Sequence, residues 1–458
     1  MSSLTDLRPR RLFDTGREML EYSPVVTIQG ARQVGKSTLA SMLIAGRDHR
    51  SVTLDDVDVL DAARTDPISF VRSAGDGTLV IDEIQRLPEL TLAIKAAVDR
   101  DRRPGRFVLT GSSDLGQVSG TKDSLAGRSL NLRLHPFTQG ELAGHQDAED
   151  LVSAVVAHAA DPEWFRGVRT DEGRRELAER ICRGGYPPVV GMPERIREAW
   201  FSSYTDALLR EDAAHGLRAD GVARLRGLLA LLAANQAGEL VKARLASESG
   251  VPASTVSNLL DLLTSLFIVD TLPPWTPNLT TREVGRHKAY VVDSGLAAWL
   301  SRLRPAQLAD PLQGKLLGPL LEGFVVSEVV RQAGWSAMRS RMFHYRAQST
   351  EVDLVCELDD GSVVAFEVRA SATASARMFT GLRELQELLG DRFRAGGGPQ
   401  HRRPRARACR AAVLTPGPGT LASSPALNES DLRTPHQAVW SPRARRTAPP
   451  GSRVGSRG

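Results

Sequence analysis

Eight residues near the start of the chain have the composition and spacing of a phosphate-binding loop. Residues 30–37 read G-x-x-x-x-G-K-S, and they follow the apolar residues 25–28, which are typical of a β-strand. Glycines let backbone N–H groups point at one anion, and the start of the next helix adds positive potential. Lys36 would contact the β- and γ-phosphates, and Ser37 would bind Mg²⁺. The predicted nucleotide-binding residues are Gly30, Ala31, Arg32, Gln33, Val34, Gly35, Lys36, Ser37 and Thr38.

Farther along the chain, a second short strand ends in two carboxylates. Residues 78–83 read TLVIDE, an apolar run that predicts a buried strand. If this strand lies parallel to the loop strand, Asp82 reaches the magnesium ion and Glu83 can orient and deprotonate the attacking water. The loop upstream favours this interpretation over an ordinary strand-ending turn. We therefore predict Asp82 as a metal ligand and Glu83 as the general base.

Two further segments offer groups for the γ-phosphate. Residues 106–110 predict a third strand, and the hydroxyl residues at its end would lie at the sheet edge where open α/β folds bind ligands. Thr110 or Ser112 is therefore a candidate γ-phosphate sensor, with an ordinary turn as the alternative. Arg128 precedes an alternating strand at residues 130–134 and is the candidate arginine finger, because a guanidinium neutralises charge on a transferring phosphoryl group.

The elements that must position these residues alternate between strand and helix. Another strand is predicted at residues 51–56, and segments near residues 37–45 and 89–99 predict crossover helices. Strands that alternate with helices form a parallel sheet covered on both faces. The sequence thus predicts a parallel α/β sheet in the first part of the chain.

The phosphate loop, the Asp-Glu strand and the segments after them resemble the AAA-type ATPases of bacteria and archaea that carry a C-terminal domain of unknown function. The likeness covers residues 8–392 and depends on the segments GARQVGKST (30–38), IDEIQ (81–85), TGSS (110–113) and AGR (126–128). It implies ATP and Mg²⁺ as cofactors and hydrolysis of the γ-phosphate. It also implies an α/β fold class, in which an AAA-type P-loop NTPase parallel sheet with flanking helices precedes a helical, winged-helix-like region and a small nuclease-like α/β domain.

A chain of 458 residues is long enough for several hydrophobic cores. Composition and resemblance together predict five segments. They are an ATPase core at residues 1–147, a helical lid and linker at 148–216, a winged-helix-like domain at 217–293, a nuclease-like domain at 294–395 and a basic tail at 396–458.

The winged-helix-like segment raises the question of DNA binding. Helical stretches at residues 225–234, 240–248 and 254–266 have helix-turn-helix spacing, and residues 267–269 and 289–292 would form the wing. The candidate recognition helix carries no lysine or arginine, so phosphate contacts would have to come from elsewhere. DNA is therefore a possible partner but not the favoured one, and an intramolecular or protein contact is preferred.

The next segment resembles the PD-(D/E)XK nuclease core. Glu322 lies on a predicted helix, and Asp353 and Glu367 lie on two predicted strands, so that the three acids could hold a divalent metal. The nuclease motif has lysine two residues after the last acid, whereas this chain has Arg369, which stays protonated and is a poorer proton carrier. We expect a nuclease-like fold kept for binding or architecture, not an active nuclease.

Composition restricts the class of protein. The chain is 41% hydrophobic and 25% charged, as in ordinary soluble proteins, and it has no apolar run long enough to span a membrane. Its first residues lack the apolar stretch of a signal peptide, so a cytoplasmic location without a membrane partner is expected. Cys182, Cys356 and Cys409 are far apart, which argues against a disulfide framework and a zinc module.

The last segment differs from the rest. Residues 396–458 contain eleven arginines, nine prolines and two acids, so this tail has a net charge of +9. Because the whole chain has a net charge of +5, the preceding residues have a net charge of −4. Such a composition predicts disorder. A shifted reading frame after Ala395 would explain it, and a basic arm that touches a polyanion is the alternative. The gene's other frames test the first idea, since the tail is genuine if none encodes an apolar strand there.

The sequence leaves three functional hypotheses. The preferred one is Mg²⁺-dependent ATP hydrolysis that moves the C-terminal domains on an unidentified macromolecular partner. The alternatives are an ATP-gated DNA-binding or nuclease effector, and a nucleotide-switched binding protein with negligible turnover. An arginine finger can come from a neighbouring subunit, so a homo-oligomer is possible, and monomers, dimers and rings all fit the sequence.

Overall fold

The computed structural model describes most of the chain up to residue 394 and two short strands beyond it. The described residues are 8–114, 125–145, 147–159, 161, 164, 169–170, 172–211, 219–278, 280, 282, 285–347, 350–370, 379–394, 412–415 and 419–423.

A five-stranded parallel sheet organises the first part of the chain. Its strands are β1 (Val25–Gln29), β2 (His49–Thr53), β3 (Thr78–Asp82), β4 (Phe107–Gly111) and β5 (Ser129–Arg133). They lie side by side in the order β2-β3-β4-β1-β5. The loop strand β1 is therefore next to β4 and one strand away from β3, whose end carries the two acids. The predicted α/β sheet is confirmed.

Alternating side chains cover both faces of this sheet. Val26 and Ile28 of β1 belong to one apolar cluster, whereas Leu79 and Ile81 of β3 belong to the cluster on the opposite face. The first face is covered by two helices, α1 (Leu12–Tyr22) and α2 (Lys36–Leu43). The second face is covered by α3 (Val57–Thr65), α4 (Pro67–Val71) and α5 (Leu90–Arg100).

Side-chain caps mark the starts of two of these helices, α3 and α4. The carboxylate of Asp56 accepts hydrogen bonds from two backbone N–H groups at the start of α3, and Asp66 caps α4 by accepting one from Ser69 at 2.9 Å. Pro67 then takes the first helical position, where its missing N–H costs no hydrogen bond. The helix α2 differs, because Gly35 precedes it and no side chain caps it.

A helical stretch follows the parallel sheet. It comprises α6 (Gln139–Ala143), α7 (Leu151–Ala157), the short strand β6 (Arg169–Thr170), α8 (Arg174–Arg183) and α9 (Glu194–Glu211). A 3₁₀ turn at Pro187–Val189 interrupts the helices, at the break that the sequence marks with two glycines and two prolines.

Three helices and a small antiparallel sheet come next. They are α10 (Ala219–Ala234), β7 (Gly238–Glu239), α11 (Lys242–Ser249), α12 (Ala253–Ser265), β8 (Val269–Leu272) and β9 (Lys288–Val291). The strand order is β7-β9-β8. The helices and strands lie near their predicted positions, and the name winged helix stays a prediction.

The C-terminal part contains a mixed sheet beside a long helix. Its elements are α13 (Ser294–Leu300), α14 (Pro305–Ala309), α15 (Gly314–Ala333), β10 (Ser340–Ala347), β11 (Thr350–Leu358), β12 (Val363–Val368), α16 (Thr380–Leu389), β13 (Ala412–Thr415) and β14 (Gly419–Ser423). The sheet has the order β10-β11-β12-β13-β14-β6, so β6 from the helical stretch closes one edge. The tail predicted to be disordered lies outside the described residues except for β13 and β14.

One apolar core joins the two large sheets. The cluster that contains Val26 and Ile28 of β1 continues without interruption to Leu354 and Phe366 in the C-terminal sheet. Helices α8, α9, α10, α12 and α15 fill the space between. The far face of the C-terminal sheet packs against α16 in a separate cluster. This cluster therefore contains residues from four of the five predicted segments.

Two other sequence expectations can be compared with the structure. Cys182 and Cys356 are buried free thiols, and burial raises the pKa of Cys182 to about 12, while Cys409 lies outside the described residues. Among the described helices, not one combines the length and the apolar character that crossing a bilayer requires.

Candidate functional site

The loop after β1 adopts a strained, glycine-dependent path. Gly30 has φ of 155° and Gly35 has φ of 94°, conformations that side chains with a Cβ rarely adopt. A Cβ placed on Gly30 would lie only 2.1 Å from the carbonyl oxygen of Leu134. Both glycines are therefore required by the backbone. The uncapped start of α2 leaves its backbone N–H groups available to an anion.

Lys36 and Ser37 occupy the first turn of α2. The Lys36 side chain is 5% exposed, and its ammonium donates a hydrogen bond to the carbonyl oxygen of Ala31 at 3.1 Å, which holds it along the loop. The Ser37 hydroxyl lies 3.0 Å and 2.9 Å from the two carboxylate oxygens of Asp82. The hydroxyl and the carboxylate that the sequence assigns to one metal ion are therefore adjacent.

Thr110 connects the two acids at the end of β3. Its hydroxyl donates to the carboxylate of Asp82 and accepts a hydrogen bond from the backbone N–H of Glu83 at 3.2 Å. Thr110 is fully buried, so it fixes the direction in which both acids leave the strand. Its contacts fit a positioning residue better than a direct sensor.

Glu83 is held in an unusual conformation. Its φ is 58°, in the left-handed region that is unfavourable for residues with a Cβ and recurs at functional sites. Gln85 donates to its carboxylate, and the Ser112 hydroxyl donates to the same oxygen at 3.1 Å. Gln85 also donates to the Ser112 hydroxyl at 2.9 Å. Gln85 is the last residue of the IDEIQ segment, but the sequence alone assigned it no role.

A cavity of about 520 Å³ opens between the phosphate loop and Glu83. Residues from four separate parts of the chain line it, namely Arg32, Gln33, Gly35, Lys36, Ser37, Thr38, Asp55, Glu83, Arg86, Pro187 and Pro188. Sequence reasoning missed Asp55, Arg86 and the two prolines as members of the site. Asp55 follows β2 at the carboxyl edge of the sheet, where a polar residue is a usable signal. Arg86 forms an ion pair with it.

The two prolines belong to a connecting segment, residues 184–189, that links the loop to the rest of the chain. A ring carbon of Pro187 lies 4.0 Å from the position that a Cβ on Gly35 would occupy. The next residue towards the amino terminus, Tyr186, is fully buried, and its hydroxyl lies 3.2 Å from that of Tyr204, which donates to the carbonyl oxygen of Arg32. The connecting segment therefore packs directly on the phosphate loop.

Gly185 in the connecting segment makes buried hydrogen bonds in two directions. Its carbonyl oxygen accepts from the backbone N–H of Phe137 at 2.7 Å, and its own N–H donates to Asp293 at 2.7 Å. A Cβ on Gly185 would lie 2.3 Å from the carbonyl oxygen of Phe137. Only glycine allows this approach.

Arg331 of α15 completes the same junction. Its guanidinium donates to the carbonyl oxygens of Phe137 at 2.8 Å and of Val292 at 2.5 Å, and it lies 3.5 Å from the carboxylate of Asp293. Arg331 is 4% exposed and Asp293 is fully buried. The chain after β5, the connecting segment and α15 thus meet at one buried ion pair.

Arg128 lies far from the nucleotide cavity. It immediately precedes β5, and Ser129 pairs with Val25 at the start of β1, whereas the phosphate loop follows the other end of β1. A five-residue strand separates these ends by roughly 13 Å. Arg128 instead forms a two-point ion pair with Asp99 at 2.6 Å and 3.0 Å, and these hydrogen bonds lower the pKa of Asp99. Within one chain, Arg128 is not part of the site.

The four nuclease-like residues lie on neighbouring elements at a second location. Glu322 lies on α15, Asp353 on β11 and Glu367 on β12, and Arg369 follows β12 and forms an ion pair with Glu367. Lys288 from β9 reaches into the same cluster. The sequence gave no indication of Lys288.

Profiles of three protein families match the chain. The family described as an AAA domain matches residues 22–143, a domain of unknown function (DUF8612) matches residues 174–307, and a domain of unknown function (DUF4143) matches residues 317–409. The first match contains β1 to β5, the phosphate loop and both acids. The predicted boundaries at residues 216 and 293 stay predictions.

Two curated relatives share most of the chain. Both are uncharacterized proteins, from Mycobacterium tuberculosis and Mycobacterium bovis, and each is 30% identical to this chain over 362 residues. The matches cover 78% of this chain and 73% of each relative. The likeness therefore extends well beyond the phosphate loop.

Two solved structures are similar to part of the chain. The Walker-type ATPase PABY2304 of Pyrococcus abyssi matches with 16% identity and a TM-score of 0.41 over 65% of this chain and 96% of that protein. AMPPCP-bound DnaA from Aquifex aeolicus matches with 12% identity and a TM-score of 0.24 over 55% of this chain and 86% of that protein.

Proposed function

The chain belongs to the family of AAA-type P-loop ATPases that carry a C-terminal DUF4143 domain, and we propose that it binds ATP with Mg²⁺ and hydrolyses the γ-phosphate in the cavity beside Lys36. The main support for this proposal is that the Ser37 hydroxyl lies next to the Asp82 carboxylate. A serine hydroxyl and a carboxylate are the hard oxygen donors that Mg²⁺ takes, and both adjoin the uncapped start of α2. The proposal places the protein in the cytoplasm, where ATP is available.

Each residue of the site has a distinct task. The loop amides and Lys36 bind the phosphates, and Ser37 and Asp82 hold the metal. When bound, the magnesium ion neutralises charge on the phosphate oxygens. Glu83 accepts a proton from the attacking water, and Thr110 orients Asp82 and Glu83 through its two hydrogen bonds.

Binding is tested with a fluorescent ATP analogue titrated in the presence of Mg²⁺. Lys36→Ala is expected to weaken binding by about 10- to 100-fold, because one hydrogen bond to a charged group contributes about 1.5–3 kcal/mol. The matched control is Lys242→Ala, which removes an exposed lysine on α11 and should leave the affinity unchanged. Equal affinity of the wild type and Lys36→Ala would refute the proposal.

Nucleotide binding can be communicated to the C-terminal part through the connecting segment. Pro187 lines the nucleotide cavity together with the phosphate loop, and Gly185, two residues earlier, is hydrogen bonded to Asp293, the partner of Arg331 on α15. A shift of the loop on ATP binding would therefore act on α15 through backbone and ion-pair contacts. We propose that this path moves the C-terminal domains relative to the ATPase core, on a macromolecular partner.

Arg128 lies far from the phosphate loop of its own chain. We therefore propose that it acts as an arginine finger only on the nucleotide of a neighbouring subunit. We expect ATP turnover per molecule to rise with protein concentration in the wild type and to stay constant in Arg128→Ala. Mass measured in solution with and without ATP should show assembly in the wild type. Arg102→Ala removes a neighbouring exposed arginine as a control. Turnover that is independent of concentration in the wild type would remove Arg128 from the mechanism.

A further inference from the structure

Outside the nucleotide cavity, three carboxylates and one lysine converge between the small antiparallel sheet and the C-terminal sheet. Glu322 comes from the middle of α15, and Glu351 and Asp353 come from β11. Lys288 is the first residue of β9 and therefore enters from a different sheet. We refer to Glu322, Glu351 and Asp353 as the acidic cluster.

An irregularity in β11 shapes this cluster. Val352 pairs with Tyr345 of β10, whereas Val355 pairs with Phe343, so β11 has one more residue than β10 over the stretch that contains Asp353. Such a bulge re-aims side chains and recurs beside functional sites. Val352 and Val355 pack in the apolar cluster on the α16 side, while the carboxylate of Asp353 faces Lys288.

The ammonium of Lys288 lies among all three members of the acidic cluster. Its Nζ atom is 2.5 Å from a carboxylate oxygen of Glu322, 2.5 Å from one of Glu351 and 3.6 Å from one of Asp353. The oxygens of Glu322 and Glu351 are at hydrogen-bond distance from the ammonium, and Asp353 adds a third negative charge close by. The geometry is that of a cation enclosed by its ligands.

Burial makes this arrangement dependent on charge balance. Lys288 is 2% exposed and Asp353 is also 2% exposed. Three carboxylates within 3.6 Å of the Lys288 ammonium favour its charged form, so the side chain stays positively charged. Without the ammonium, these carboxylates would repel one another in a site that water hardly reaches.

The same three acids have the separation of metal ligands. One oxygen from each lies within 4.8 Å of the others, a spacing at which three carboxylates can share one divalent cation. Two further contacts involve Asp353 and its neighbour Glu367. Asp353 accepts from the backbone N–H of Val368 at 2.7 Å, and Arg369 pairs with Glu367. The position at which a metal would bind is therefore the position that the Lys288 ammonium holds.

We propose that Lys288 is a built-in cation that occupies the acidic cluster, so that the cluster fastens β9 to α15 and β11 and is closed to divalent metals. The cluster then acts as a joint between the small sheet and the C-terminal sheet. This inference is independent of the nucleotide site and of ATP hydrolysis.

Manganese titration of the full-length protein without nucleotide tests the proposal, with calorimetry as the readout. We expect Lys288→Met to bind Mn²⁺ at least about 10-fold more tightly than the wild type, because an ammonium at the same position repels a divalent cation. Adding Asp353→Asn to Lys288→Met should abolish the new binding. Lys242→Met, at an exposed lysine, should behave as the wild type. Equal Mn²⁺ binding by the wild type and Lys288→Met would overturn the proposal.

A second measurement uses only the wild type and stays decisive if Lys288→Met does not fold. Amine acylation followed by peptide mass spectrometry should label Lys242 and leave Lys288 unlabelled, with or without Mn²⁺. Labelling of Lys288 that appears when Mn²⁺ is added would mean that metal displaces the ammonium, which contradicts the proposal. Mn²⁺-dependent plasmid nicking by the wild type that Asp353→Ala abolishes would contradict it as well.

Discussion

Glu83→Gln is expected to lower the rate of ATP hydrolysis by about 10²- to 10⁴-fold, because a positioned general base contributes a factor of that size. ATP binding should persist, since the amide keeps the volume of the carboxylate and the loop is unchanged. The measurement is phosphate release at saturating ATP, together with a titration of the fluorescent analogue. A binding-only protein, the alternative hypothesis, would show negligible turnover in both the wild type and the variant.

The control for Glu83→Gln is Glu89→Gln, at an exposed residue that precedes α5. Glu89→Gln makes the same charge change. Glu89 also follows β3 in the sequence, but it lies outside the cavity. Wild-type turnover in Glu89→Gln and loss of turnover in Glu83→Gln would support the assignment. Unchanged turnover in Glu83→Gln would remove Glu83 from its role as the base.

Arg331→Met is expected to lower the free energy of unfolding by about 3–5 kcal/mol, because it leaves the buried carboxylate of Asp293 without its counter-charge. It also leaves the carbonyl oxygens of Phe137 and Val292 without their guanidinium donors. Urea unfolding followed by circular dichroism measures the change. Arg339→Met, at an exposed arginine just beyond α15, should stay within about 0.5 kcal/mol of the wild type.

The same variant tests communication with the nucleotide. Hydrogen exchange of the wild type should slow on ATP addition both in the phosphate loop and in α15. Arg331→Met should keep the response of the loop and lose that of α15, because the ion pair that connects them is gone. A response of α15 that is unaltered in the folded variant would mean that the signal takes another route.

Much of the nucleotide site could be predicted from the sequence because its parts are local and follow a simple rule. The phosphate loop is contiguous, and Asp82 ends a strand that runs parallel to the loop strand, so both lie at one edge of the sheet. That reasoning places Ser37 and Asp82 at the same edge, and their side chains lie 2.9 Å apart in the structure. The order of strands and helices likewise predicted the parallel sheet.

The remaining features depend on contacts between distant segments. Arg128 precedes its strand and so lies at the opposite edge, a consequence of strand direction that its motif does not reveal. Pro187 reaches the cavity only because the connecting segment folds back over the loop. Lys288 meets Glu322 and Asp353 through packing of two sheets. No local pattern of residue types in the sequence predicts these contacts.

The apolar core shared by the two large sheets has a consequence for truncation of the protein and for its evolution. A polypeptide cut near residue 300 would expose the faces that α15 and β12 normally cover, and it would be expected to aggregate and to engage chaperones. Recombination that exchanges only one half of the chain would need compensating substitutions in the other half. The halves are therefore expected to evolve as a single inherited unit.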